Sequence, residues 1–259
     1  MKRFFLLLIL LSATAQGKTS RINITNFNFT YQDPSGEGSA SYFSWGTSRY
    51  FEGLRVRAER LNRDFKISVS GSEAGEFNFK DAPDFLTETD SIHINGLNFL
   101  LSDNLKFSLN SGRLHSRDES AVIGGLTLDC DRDQTHVQEM DQVIKGCIRK
   151  MVLKTTKFSS TSLVSFIDSI RGQVNINSLD LKTNNGRYDL SADIKAEISG
   201  KVRSSGTLSH NSQESQLIIK ISEVKFGILN ITGKVFDELR KNQSEKLKVR
   251  EPYVYYSLK

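Results

Sequence analysis

The chain has 259 residues, 37% of them hydrophobic and 25% charged, with a formal net charge of +5. A surplus of that size argues against nucleic acid as a partner, because nucleic-acid binders concentrate a large positive excess on one face. Only three prolines interrupt the chain, and the prevailing alternation of apolar and polar positions favours long strands over helices.

Lys2 and Arg3, the apolar run Phe4 to Leu11 and the small-residue site Ala13-Thr14-Ala15 make up a secretory signal peptide over residues 1–15. The run is too short to cross a bilayer core of about 30 Å as a helix. Residues 16–259 are then expected to be exported, to the periplasm or the cell exterior, as a single curved β-sheet domain, with 130–160 as the place where it could divide.

Period-2 runs follow at 22–31, 54–58, 65–69, 92–101, 105–109, 122–130, 151–158, 174–181, 188–198, 202–208, 217–231 and 247–258. Asn185-Gly186 is a type I′ hairpin signal between two of them. Tight turns between consecutive strands imply antiparallel meanders with one buried and one wet face.

Four of these runs change phase halfway. Ile22 and Ile24 are followed by Phe27 and Phe29, and the same slip recurs in Ile92–Phe99, Val174–Leu181 and Ile219–Phe226. One extra residue must be absorbed for both halves to face one side, and a β-bulge does that while bending the strand. Thr25-Asn26, Asn95-Gly96, Asn177-Ser178 and Ser222-Glu223 stand at the slips. The expected fold is mainly β with a minor α component: a long, strongly curved antiparallel sheet covered by two or three short helices.

The helices are expected in three places. Thr135 and Gln138 have capping-box spacing, ahead of Val137, Met140, Ile144, Cys147, Ile148 and Met151 at helical spacing. Leu163, Phe166, Ile167 and Ile170 form a second stripe closed by Gly172, and Val235, Phe236 and Leu239 a third. The two cysteines, Cys130 and Cys147, flank the first helix, and an even pair in an exported chain reads as a disulfide.

"YFSWGTSRYF" gathers Tyr42, Phe43, Trp45, Tyr50 and Phe51 beside the Gly/Ser-rich "SGEGSAS". Aromatics on such a loop suit a peripheral membrane contact or the mouth of a groove, although folding back onto the sheet explains them as well. No enzyme is indicated. His93, His115, His136 and His210 stand alone, and neither a nucleophile elbow nor a zinc-helix motif is present. Asp129, Asp131 and Asp133 begin like a calcium loop, but Gln134 and Met140 occupy the positions that need Gly and a carboxylate. No metal or cofactor is expected. Asn23, Asn28, Asn230 and Asn242 lie in N-x-S/T sequons, which matter only in a eukaryotic secretory pathway.

The repeated "I-x-I-N-x-L-x-F" units, the hairpin "LDLKTNNGRYDLSADIKAEISGKV" and "LIIKISEVKFGILNITG" leading to a short helix and "KLKVREPYVYYSL" resemble the TULIP-like and AsmA-type β-groove lipid carriers of bacterial envelopes, over roughly residues 92–258. The resemblance implies a bent sheet whose concave apolar face holds acyl chains. Leu97, Phe99, Leu101, Leu179, Leu181, Val224 and Phe226 are then the groove-lining candidates, and a lipid or acyl-chain ligand the expected partner. A groove of this kind needs apolar area rather than a polar constellation. A secreted structural or adhesive β protein with a protein or glycan partner fits the same composition, and an outer-membrane barrel is a third reading.

Overall fold

The computed structural model describes residues 21–258 apart from 47–48, 63, 72–73, 80–88, 117–118, 134–138, 161–173 and 196–198. The signal peptide, the Thr135/Gln138 capping box and the stripe from Leu163 to Gly172 lie outside the described residues.

In chain order the strands are β1 (Ile22–Gln32), β2 (Ser35–Trp45), β3 (Arg49–Leu61), β4 (Asp64–Ser70), β5 (Ala74–Phe79), β6 (Ser91–Leu101), β7 (Asn104–Ser116) and β8 (Glu119–Asp131). Helix α1 (Glu139–Arg149) precedes β9 (Lys150–Thr155), β10 (Lys157–Ser160), β11 (Val174–Asn184), β12 (Arg187–Lys195), β13 (Ser199–Asn211), β14 (Gln216–Phe226) and β15 (Leu229–Asn230). Helix α2 (Thr232–Lys241), β16 (Leu247–Arg250) and β17 (Tyr253–Ser257) complete the chain. The fold is mainly β, as expected.

All strands join one antiparallel sheet. From edge to edge it runs β5-β4-β3-β2-β1-β6-β7-β8, then β9 and β10 end to end, then β11-β12-β13-β14-β17-β16, with β15 folded back on β14. It is a meander with two departures: the chain returns after β5 and lays β6 against the free side of β1, and after β14 it passes through β15 and α2 so that β17, not β16, pairs with β14. At the β11–β12 hairpin Asn185 and Gly186 both have positive φ, 47° and 80°, as a type I′ turn requires.

β2 was not anticipated, because "SGEGSAS" reads as a loop. Its glycines serve a close approach instead. A Cβ on Gly38 would lie 2.5 Å from the Asn28 carbonyl oxygen, and one on Gly36 2.8 Å from the Tyr31 Cα. Paired beside β1, this segment has no room for side chains at those positions.

The phase slips are bulges. Between β1 and β6 the register shifts at Ile24/Phe27 and back at Phe27/Phe29, so each strand absorbs one extra residue. Asn26 and Gly96 take positive φ there, 51° and 64°. Further shifts fall between Ile176 and Ser178 in β11 and opposite Ser205/Gly206 in β14, where Asn177 and Ser222 are the extra residues. Gly53 (φ 60°) and Gly125 (φ 56°) continue the irregularity into β3 and β8, and Thr156 divides β9 from β10. From β3 to β11 these positions are neighbours in adjacent strands and form one seam across the sheet; the Ser222 bulge lies off that line.

Side chains buttress the seam. The Asn26 amide N–H donates to Asn98 Oδ1 at 2.8 Å and the Gly96 N–H to Asn28 Oδ1 at 2.9 Å. Thr155 and Thr156 each donate a hydroxyl hydrogen bond to the Gly124 carbonyl, at 2.8 and 3.1 Å. As a result, Ile22, Ile24 and Phe27 all reach one core cluster, and the Phe27 and Phe29 rings stack 6.0 Å apart.

That cluster gathers Ile22, Leu97, Phe99, Leu101, Leu105, Leu109, Ile123 and Cys130, with Val143 and Cys147 of α1 against it. A second cluster holds Tyr31, Ala58 and Phe65, and a third packs Phe236 of α2 on Val249 and Val254. Burial, and then the hydrogen bond from Tyr31 to Asp33 Oδ1 (2.9 Å), push the Tyr31 phenol above its ordinary pKa of 10.0. Arg60 pairs with the same Asp33 carboxylate.

Cys130 and Cys147 are disulfide-bonded, which ties the last turn of α1 to the end of β8. The helical stripe read from the sequence needs correction. α1 ends at Arg149, Met151 lies in β9, and Met140 is 45% exposed. The core-facing residues are Val143 and Cys147, because the disulfide and Gly146, whose Cβ would lie 1.9 Å from the Asp131 carbonyl oxygen, fix which side of α1 meets the strand. The stripe at Val235, Phe236 and Leu239 forms α2, with Phe236 fully buried.

Candidate functional site

Directly paired residues in an antiparallel sheet share a face, so the register tells which side chains line each side. Thr183 pairs with Met151 and Ile176 with Phe158, both of which pack on the central core. Ile176, before the Asn177 bulge, and Leu179 and Leu181, after it, therefore belong to the apolar face. The same face continues across the sheet through the rows Ile176–Ile194–Gly200, Leu179–Ala192–Val202–Phe226 and Leu181–Leu190–Ser204–Val224.

This strip is lined by larger side chains over a floor of small ones. Ala192, Gly200, Ser204 and Gly206 leave space that Phe226 and Tyr188 partly fill. The Phe226 ring lies over Gly200 and the Tyr188 ring over Gly206, 2.5 and 2.8 Å from where a Cβ would stand. Tyr188 hydrogen-bonds Ser204 Oγ at 3.1 Å; burial pushes its phenol pKa up, and this bond pulls the other way.

Helices cover the two flanks. α1 packs against β8, β9, β11 and β13, with the Thr183 hydroxyl bonded to the Cys147 carbonyl. α2 packs against β14 and β16, placing Phe236 and Leu239 on Ile219 and Ile221. Between them Ile176, Leu179, Leu181, Leu190, Ile194, Val202 and Phe226 are all half-buried.

The groove candidates thus divide in two. Leu97, Phe99 and Leu101 are buried in the central cluster, and Val224 is buried as well. Leu179, Leu181 and Phe226 stand on the half-open strip. Leu190, Ile194 and Val202 complete it; they lay in period-2 runs of the sequence, but only the register aligns them with the candidates.

The aromatic group sits on strands rather than on a loop, with Tyr42, Phe43 and Trp45 ending β2 and Tyr50 and Phe51 beginning β3. Phe43 pairs with Phe51, their rings 5.9 Å apart, and Phe43 packs on the central cluster. Tyr42, Phe43 and Phe51 are half-buried. Folding back onto the sheet is what the hairpin does with Phe43.

The opposite face is polar and holds two hollows. One, of about 690 Å³, is lined by Asn23, Thr25, Asn98, Lys106, Asp129, Asp131, Lys150 and Lys154, and also by Ile24, Phe99, Leu100, Phe107, Leu128 and Val152. The other, of about 610 Å³, adjoins it through Lys154 and includes Ser178, Leu179, Asp180, Asp193 and Lys201. Their charges are partly matched, Lys106 lying 3.8 Å from Asp129 and Lys182 3.4 Å from Asp180. Asp131, part of the calcium-like run, pairs with Arg149 at 3.3 Å. Among the described residues no group of three His, Cys, Asp or Glu side chains is placed to hold a metal ion, and no helix is long and apolar enough to cross a membrane.

Compared with family models, curated proteins and solved structures, the chain matches none. The disulfide is consistent with an oxidising compartment.

Proposed function

We propose that this is an exported, non-enzymatic binding protein that holds a lipid acyl chain, or a ligand of similar chemistry, on the strip across β11–β14. The observation that carries the reading is the run of half-buried aliphatic side chains between α1 and α2, over a floor of Ala, Gly and Ser. Fully covered apolar residues only stabilise a fold, whereas half-covered ones gain further when a ligand removes them from water, at about 25 cal/mol per Å². A narrow chain lying across the strands would rest on Leu179, Leu181, Val202 and the Phe226 ring that covers Gly200.

The test separates binding from folding. Leu181→Asp and Phe226→Asp, on the strip, should abolish uptake of a fluorescent fatty acyl probe while leaving a cooperative melt. Phe99→Asp, 5% exposed in the central core, should unfold the protein by burying an unpaired charge. Mass spectrometry of an organic extract of the protein from its native host should find co-purified lipid. A wild-type protein that takes up no probe and carries no lipid would refute the reading.

The polar hollows favour a second reading, a structural or adhesive β protein whose partner is a polar chain such as a glycan. Amides, hydroxyls and lysines at Asn23, Asn98, Ser108, Thr127 and Lys154 suit such a partner, and glycan-array binding lost on Lys154→Ala would support it. An outer-membrane barrel is supported less. Among the described residues the sheet ends at β5 and β16, each paired on one side only, and its apolar face carries two helices.

A further inference from the structure

The hairpin after β14 carries two of the most exposed large apolar side chains among the described residues, Ile228 at 94% and Leu229 at 63%. In the sequence they pass as the end of an apolar run. The structure turns the chain at Gly227, whose φ of 60° starts a tight reversal with nothing within 4 Å of its Cβ position. The turn is held from both sides. The Gly227 N–H donates to the Lys201 carbonyl at 2.9 Å, Ile231 N–H to the Val224 carbonyl at 2.9 Å, and Val224 N–H to Thr232 Oγ1 at 2.8 Å. Asn230 Oδ1 in turn accepts from the Thr232 hydroxyl at 2.7 Å.

Basic residues surround this apex. Lys225 precedes it, Arg203 pairs with Lys225 across the strands, Lys201 accepts the turn at its carbonyl, and Lys234 stands in the first turn of α2, which contains no acidic residue. Lys201, Arg203 and Lys234 are exposed. Glu223, 2.9 Å from Lys225, offsets one of these charges, and Asp193 faces Lys201 across the register. The local balance is positive.

We propose that the Ile228–Leu229 apex inserts into the interface of an anionic lipid bilayer, with Lys201, Arg203, Lys225 and Lys234 resting on the headgroups. A convex tip of two side chains offers little of the roughly 800 Å² that each partner contributes to a stable protein interface, so a second copy is a poor occupant. A bilayer accepts a wedge, removes both side chains from water and attracts the basic rim. Because backbone hydrogen bonds already order the turn, insertion costs little conformational entropy. The site goes beyond the acyl-binding strip and does not depend on it.

Co-sedimentation of the full chain with vesicles tests the idea. The protein should bind phosphatidylcholine vesicles containing phosphatidylglycerol, less at high salt, and bind pure phosphatidylcholine weakly. Ile228→Ser with Leu229→Ser should weaken partitioning at least about tenfold with an unchanged melting temperature, because both side chains are exposed. Lys225→Glu with Lys234→Glu should remove the preference for the anionic lipid. Leu61→Ser, at a 50% exposed position in another hairpin, serves as the control and should bind as wild type does. Equal binding by the Ile228/Leu229 variant, no binding by the wild type, or a dimer in solution that the apex variant dissolves would each overturn the proposal. Acyl-probe uptake retained by the apex variant separates this site from the strip.

Discussion

Gly96→Ala tests whether the seam is specified residue by residue. Gly96 is buried at φ 64°, and an added Cβ would lie 2.1 Å from Asn110 Nδ2 and 2.7 Å from its Cγ. Two costs follow. Holding alanine in the left-handed region costs about 1–2 kcal/mol, and forcing the Asn110 side chain aside adds about 1–3 kcal/mol of overpacking. Together they should lower the melting temperature by roughly 2–4 °C per kcal/mol for a chain of this size. Gly53 lies on the same seam at φ 60° with open space around its Cβ position, so Gly53→Ala should show only the backbone part. Asn110→Ala in the Gly96→Ala background should recover the overpacking part. Urea unfolding of the four proteins measures all of this. If Gly96→Ala and Gly53→Ala cost the same, or if Asn110→Ala relieves nothing, the seam is not packed as described.

The Cys130–Cys147 bond spans a sequence separation of 17, so reduction should cost about 3 kcal/mol in the chain-entropy model; unreduced, denatured protein should titrate no free thiol, and two thiols per chain would contradict the bond. Tyr31 keeps its proton in the folded state to higher pH than in the unfolded chain, where it ionises near 10.0. Its stabilising effect is therefore complete below that pH and is lost as pH rises beyond it towards the raised folded value. Melting temperatures should accordingly fall above about pH 10 in the wild type and fall less steeply in Tyr31→Phe, and parallel curves would show that Tyr31 is not the group responsible.

Much of the architecture is local chemistry and was open to reading in the sequence. Period-2 alternation marks a strand with one wet face, Asn185-Gly186 can adopt the two positive φ values of a hairpin, and the slips at Asn26, Gly96, Asn177 and Ser222 required bulges because both apolar halves must reach one core. Other features depend on contacts between distant segments. β2 is a strand because β1 lies beside its glycines, and α1 turns Val143 rather than Met140 inward because Cys130 and Asp131 hold it. The candidate site divides for the same reason. Phe99 and Leu181 occupy equivalent places in their repeats, but Phe99 meets neighbours from β1, β7 and α1's cluster, while Leu181 lies beside Leu190 on a strip whose side chains stay half-buried. Residue type and spacing determined which side chains share the apolar face; which of them are covered was decided by the strand order and the two helices, since burial depends on what the rest of the chain lays on top.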